Sequence, residues 1–136
     1  MTYINAAGDH IAIGAMTKHR TLETSDRLAA EAPLLRHVAG EVGDPSVRHR
    51  GTLGGSLAHG DPASDLPAAL LASGGSLVIK GPTGERVVEA PDFFTGFLNG
   101  VLNGFFDNRI CILYNHLIVF HEVATMVSFF NFTNLR

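Results

Sequence analysis

Residues 76–89 read SLVIKGPTGERVVE: two runs rich in β-branched side chains, joined by Gly-Pro-Thr-Gly. The pattern predicts a β-hairpin, because glycine and proline supply the angles of a tight reversal while the flanking runs favour extended backbone. A lone hairpin cannot bury its own apolar face, so other elements have to pack on it. The preceding sequence offers several. HIAIGAM (residues 10–16) alternates as a short strand, with Ile11 and Ile13 on one face. APLLRHVAGEVG (residues 32–43) predicts a helix with Pro33 in its first turn, Gly43 just past its end, and Leu34, Leu35, Val38 and Val42 as its buried stripe. A single helical turn capped by Thr21 is expected over residues 22–25, and a further helix over residues 64–72. Phe93, Phe94 and Phe97 in APDFFTGF offer large apolar side chains to a core.

With 136 residues the chain is long enough for one core and short for two. A net charge of −3 leaves no basic face to neutralise phosphates along a nucleic acid, which excludes that class of partner. Cys111 is the single cysteine, so neither an intrachain disulfide nor a cysteine-held zinc or iron–sulfur centre can form. His121-Glu122 opens like a zinc-protease motif, but Thr125 stands where the second histidine belongs, and no metal site is expected. The opening MTYINAAGDH has neither a basic start nor an apolar run, so a cytoplasmic location is expected.

Composition breaks near residue 100. All 6 prolines precede it, whereas all 9 phenylalanines lie at or after Phe93. The expected division is therefore residues 1–100 as one domain and residues 101–136 as a divergent apolar tail not native to it. ICILYNHLIVF (residues 110–120) falls short of the roughly 20 residues a bilayer-spanning helix needs, and extending it encloses His121 and Glu122. A membrane span is not expected.

The stretch VRHRGTLGGSLAHGDPASDLPAALL (residues 47–71) carries the candidate chemistry. Glycines 54 and 55 admit backbone angles closed to other residues, and they leave peptide N–H groups uncovered for an anion. Thr52 and Ser56 add hydroxyls, and Arg48 and Arg50 add charge. A tight turn that uses glycine merely to bend is the alternative. Asp65 also admits two readings: with Ser64 it forms a helix cap before Pro67, or its carboxylate accepts hydrogen bonds from ligand hydroxyls. No serine, histidine and aspartate share a spacing that would make a nucleophile and its base, so no catalytic residue is expected.

Three segments together, IGAMTKHRTLETSD, APLLRHVAGEVGDPSVRHRGTLGGSLAHGDPASDLPAALLA and GERVVEAPDFFTGF, resemble the FAD-binding (medium) subunit of molybdenum hydroxylases. The likeness is to the carbon monoxide dehydrogenase medium subunit and to the equivalent FAD domain of xanthine dehydrogenases, and it covers about residues 4–97. The resemblance implies an α+β fold, the second subdomain of that FAD-binding domain, with a small, mostly antiparallel sheet and packed helices. It implies FAD as cofactor, with Thr52, Leu53, Gly54, Gly55 and Ser56 near the pyrophosphate and Asp65 on a sugar-like part. Val38, by its place in the preceding helix, would also line the cofactor.

The resemblance further implies an iron–sulfur small subunit that delivers electrons and a large subunit that holds the molybdenum cofactor. The family's other glycine-rich loop, of the Ala-Gly-Gly-x-Ser type, has no counterpart here. The stretch after DFFTGF also departs from the family pattern. The chain therefore reads as a truncated part of the flavoprotein, a fragment inactive alone. Two alternatives remain: a remnant that binds no flavin, and a module whose apolar tail docks on a partner.

Overall fold

A computed structural model of the chain describes residues 2–81, 84–94, 109–114 and 121–122. Two short strands open it, β1 (Ile4–Ala7) and β2 (His10–Ile13), turning at Gly8 with φ +70°. A run of short helices follows: α1 (His19–Glu23), α2 (Asp26–Glu31), α3 (Pro33–Glu41), α4 (Pro45–Arg50), α5 (Leu53–His59) and α6 (Asp65–Ala72). The chain then forms β3 (Ser76–Gly81), β4 (Gly84–Glu89), the one-turn helix α7 (Ala90–Phe93), β5 (Arg109–Tyr114) and β6 (His121–Glu122). The fold is α+β, as expected from the sequence.

The strands form one antiparallel sheet in the order β1-β2-β5-β3-β4, with β6 paired to β5. The hairpin lies where SLVIKGPTGERVVE places it, in register from Ser76 opposite Glu89 to Gly81 opposite Gly84. Between the two hairpins runs β5, with Ile112 opposite Ile13 on one side and Leu77 on the other. Six residues of the compositionally distinct tail thus occupy the centre of the sheet. Phe97 and the remainder of ICILYNHLIVF lie outside the described residues.

Helices cover the sheet. Ile11, Ile13, Leu77 and Ile79 from the strands share one cluster with Leu22, Leu28, Leu35, Leu53, Leu57, Leu66 and Leu70 from the helices. Each such side chain contributes about 1.5–3 kcal/mol when fully buried. Phe93 closes the cluster, fully buried and edge-on to Phe94 at 5.0 Å between ring centroids.

Four expectations need correction. Leu34 is 44 % exposed; Leu35, Val38 and Val42 pack on the core as expected, and Ala39 takes the place expected for Leu34. Thr21 caps nothing: α1 starts at His19, because its entry residue Lys18 is pinned in an isolated bridge to Thr52. Helix α2 was not foreseen, and its cap is Ser25, whose hydroxyl accepts the Leu28 N–H at 3.3 Å. Finally, residues 45–59 are two helices rather than an open loop. Asp44 begins the first by accepting from the N–H groups of Ser46 and Val47, with Pro45 at the first helical position.

Candidate functional site

The glycine-rich stretch is built against α1. His19 N–H donates to the Gly51 carbonyl at 3.1 Å, Leu53 N–H to Thr17 O at 3.0 Å, and Gly54 N–H to Ala15 O at 2.9 Å. Lys18 Nζ adds a bond to Arg50 O at 2.9 Å. Thr52 then caps α5: its hydroxyl oxygen accepts the Gly55 N–H at 3.2 Å and its carbonyl accepts the Ser56 N–H at 3.1 Å. Every backbone N–H from Leu53 to Ser56 is therefore already committed inside the chain. The row of free amide donors expected from the sequence is absent at these four positions.

The glycines answer to space rather than to unusual angles. Positive φ occurs at Gly8, Gly43, Gly60, Gly74 and Gly84, and at neither Gly54 nor Gly55. A Cβ on Gly54 would come within 2.5 Å of Ala15 Cβ and 3.0 Å of Ala15 O. On Gly55 it would meet Thr52 Oγ1 at 2.9 Å, and on Gly51 the His19 ring at 2.8 Å. Close packing of α5 on the β2–α1 connection is what excludes side chains here.

Of the expected site residues, Leu53 and Gly54 are buried, whereas Thr52, Gly55 and Ser56 are half-exposed. Ser56 Oγ lies 3.2 Å from Ser64 Oγ, which ties α5 to the residue that precedes α6. Ser64 consequently makes no side-chain cap of its own. Asp65 follows in the first turn of α6, exposed, with no side-chain partner among the described residues. The structure thus brings Thr52, Gly55, Ser56 and Asp65 onto two helix starts joined by one hydroxyl pair. Val38 stands apart: it is half-buried on α3, packed against the core, on a helix that contacts α6.

Charge is distributed differently from the sequence expectation. Arg48 does not face a ligand. Its side chain is 14 % exposed, with Nε 3.2 Å from Glu23 Oε2 and an NH1 group that donates to Gly43 O at 2.9 Å and Val42 O at 3.3 Å. Arg20 binds the same Glu23 carboxylate at 3.0 Å. The Arg20 hydrogen bond, then the positive charge of both arginines, holds the Glu23 pKa below the ordinary glutamate value. Arg50, by contrast, is exposed.

The residues left at least partly exposed are two that bear hydroxyls, Thr52 and Ser56, a glycine without side chain, and the Asp65 carboxylate. Such a set suits a phosphate- and sugar-bearing ligand, with Asp65 accepting from hydroxyls and Thr52 and Ser56 donating to oxygens. It therefore fits FAD through side chains, with Leu53 and Gly54 as the packing that supports them. No paired acid and base occurs among these residues. A cleft of about 480 Å³ lies elsewhere, lined by Asp9, His10, Glu31 and Leu34 among others and by none of these residues. Among the described residues no group of three or more His, Cys, Asp or Glu could hold a metal ion, and no helix is long and apolar enough to cross a membrane.

Sequence reasoning missed His19 and Ala15, which shape the floor beneath the glycine-rich turn. No local signal marks either, since both act on residues distant in the chain.

Residues 1–104 match the family described as the FAD binding domain in molybdopterin dehydrogenase. The carbon monoxide dehydrogenase medium chain of Afipia carboxidovorans is 41 % identical over 93 residues, which is 68 % of this chain and 32 % of that one. The nicotine 6-hydroxylase medium subunit of Paenarthrobacter nicotinovorans is 38 % identical over 96 residues, 71 % of this chain and 34 % of that one. Among solved structures, carbon monoxide dehydrogenase from Hydrogenophaga pseudoflava superposes with a TM-score of 0.69 at 43 % identity, covering 71 % of this chain and 34 % of that chain. The chain spans about a third of the length of the curated relatives it matches.

Proposed function

We propose, on the premise that this chain belongs to the family of FAD binding domains in molybdopterin dehydrogenases, that it supplies part of the flavin site of a molybdenum-dependent dehydrogenase. Thr52 and Ser56 donate hydroxyl hydrogen bonds to the pyrophosphate, Gly55 allows it close approach, and Asp65 accepts from ligand hydroxyls. Leu53 and Gly54 hold the turn in place from below. Val38, half-buried on the helix that contacts α6, lines the cofactor from that side in this proposal. When bound, the flavin ring supplies the redox chemistry; the protein contributes position, charge and shielding from solvent. The absence of a paired acid and base among these residues is consistent with that division of labour.

The observation that carries the reading is Asp65, an exposed carboxylate without a side-chain partner among the described residues, next in the chain to Ser64, which pairs with Ser56. Residues 1–100 form the flavin-binding portion in this proposal, and the tail contributes a sheet strand. An iron–sulfur small subunit and a molybdenum-cofactor large subunit complete the enzyme, which acts in the cytoplasm. The relatives whose names call them medium chains or subunits support this assembly. Gel filtration of the purified chain after incubation with FAD tests the proposal. Flavin absorbance travelling with the protein supports it, and a folded chain that elutes without flavin counts against it.

A further inference from the structure

His19 occupies an unusual place. It is 4 % exposed, and neither ring nitrogen has a hydrogen-bond partner at acceptable geometry among the described residues. Its ring lies so close beneath Gly51 that an added Cβ would stand 2.8 Å from Cε1 and 2.9 Å from Nδ1. Its backbone N–H bonds the Gly51 carbonyl, and Lys18 and Thr52, the residues beside it and beyond Gly51, form the isolated bridge. A buried polar ring without a partner costs free energy, so packing here is retained at a penalty.

From this geometry we propose that the neutral His19 ring is a positioning residue for the flavin turn, seating Gly51 and Thr52, and that its protonation releases them. The inference rests on the flavin reading only for its functional consequence; the coupling of ring to turn stands on contacts within the chain. A charged imidazolium would be desolvated by burial and would stand beside the Lys18 cation. Burial already holds the His19 pKa below the ordinary value of 6.5, the Thr52 backbone partly opposes that, and Lys18 adds to it. Around His19, α1 carries Arg20 and Glu23, α3 carries Arg36, His37 and Glu41, α4 carries Arg48, His49 and Arg50, and α5 carries His59. Among these groups and Lys18, the Lys18 charge is the one that acts on the ring.

The test is an NMR titration of the whole chain without flavin, from about pH 8 down through the histidine range. The His19 ring signal should titrate below its ordinary value, with the amide signals of Gly51, Leu53, Gly54 and Gly55 moving in step. His19→Gln, which cannot take the charge, should abolish that response in the four amides. His19→Phe, which keeps a ring, serves should the glutamine variant not fold. Turn amides that ignore the His19 titration, or that respond equally in the variants, overturn the proposal. In parallel, FAD affinity should fall at least about tenfold across the same range in the parent and stay level in His19→Gln. A turn that follows His19 in a chain binding no FAD at any pH upholds the coupling and removes the flavin reading instead.

Discussion

Gly54 rests on Ala15 at a distance that excludes a methyl group: a Cβ at residue 54 would lie 2.5 Å from Ala15 Cβ, while the Gly54 N–H bonds Ala15 O at 2.9 Å. This contact fixes the height of α5 above the β2–α1 connection, and with it the positions of Thr52 and Ser56. Gly54→Ala should therefore destabilise the fold by about 1–3 kcal/mol, as overpacking of a tight site does. Urea unfolding of the variant measures this. At Gly55 the obstacle is a hydroxyl oxygen, Thr52 Oγ1 at 2.9 Å, so Gly55→Ala should cost less than Gly54→Ala while weakening flavin binding more. The reverse order would show that the turn is held differently.

Thr52→Ala removes the acceptor for the Gly55 N–H and should cost about 1 kcal/mol, the typical value of an N-cap. Thr52→Ser keeps the oxygen and should retain most of the stability. Thermal unfolding of the two variants side by side separates the cap from the lost methyl group.

The β-hairpin was legible because its signal is local: two strand-forming runs and a turn in fourteen consecutive letters, with partners opposite each other from Ser76 and Glu89 inward. Helix α3 was legible for the same reason, with Leu35, Val38 and Val42 facing the core, although Ala39 rather than Leu34 completes its stripe. Helices α4 and α5 were not. A segment containing Gly54 and Gly55 has poor helix propensity, and it is helical because Lys18, Thr17 and Ala15 hold its entry from elsewhere in the chain. The candidate site divides likewise. Thr52, Ser56 and Asp65 came from resemblance to a family, while spacing alone left a turn and a helix cap as alternatives. The burial of Leu53, the diversion of Arg48 to Glu23 and the His19 ring under Gly51 are long-range relationships that no window of sequence contains.

Glu23 links α1 to α4 through Arg48, and its carboxyl is held below the ordinary value chiefly by the Arg20 hydrogen bond. A group depressed in the folded state binds fewer protons than in the unfolded one, so its contribution is complete above the ordinary glutamate pKa. It is lost as pH falls through the lowered folded value. Glu23→Gln should flatten that part of the acid-unfolding curve and leave the neutral-pH limb parallel to the parent's. An unchanged acid midpoint would show that the Arg20–Glu23–Arg48 group carries no pH-dependent stability.

Strand β5 joins the β1–β2 and β3–β4 hairpins, which do not pair with each other. Deleting residues 101–136 should therefore cut the sheet in two and lower the cooperativity and midpoint of unfolding, followed by circular dichroism. A truncated chain that unfolds like the parent would confine the tail to a role outside the sheet.

In the proposed site Asp65 meets a flavin hydroxyl rather than serving the fold. Calorimetric titration of FAD into the whole chain and into Asp65→Asn tests it most directly. A charged hydrogen bond of about 1.5–3 kcal/mol predicts affinity lowered by roughly ten- to a hundredfold in the variant, while its unfolding curve stays within about 1 kcal/mol of the parent's. Equal affinity in both proteins, or no binding by a folded parent, would contradict the account.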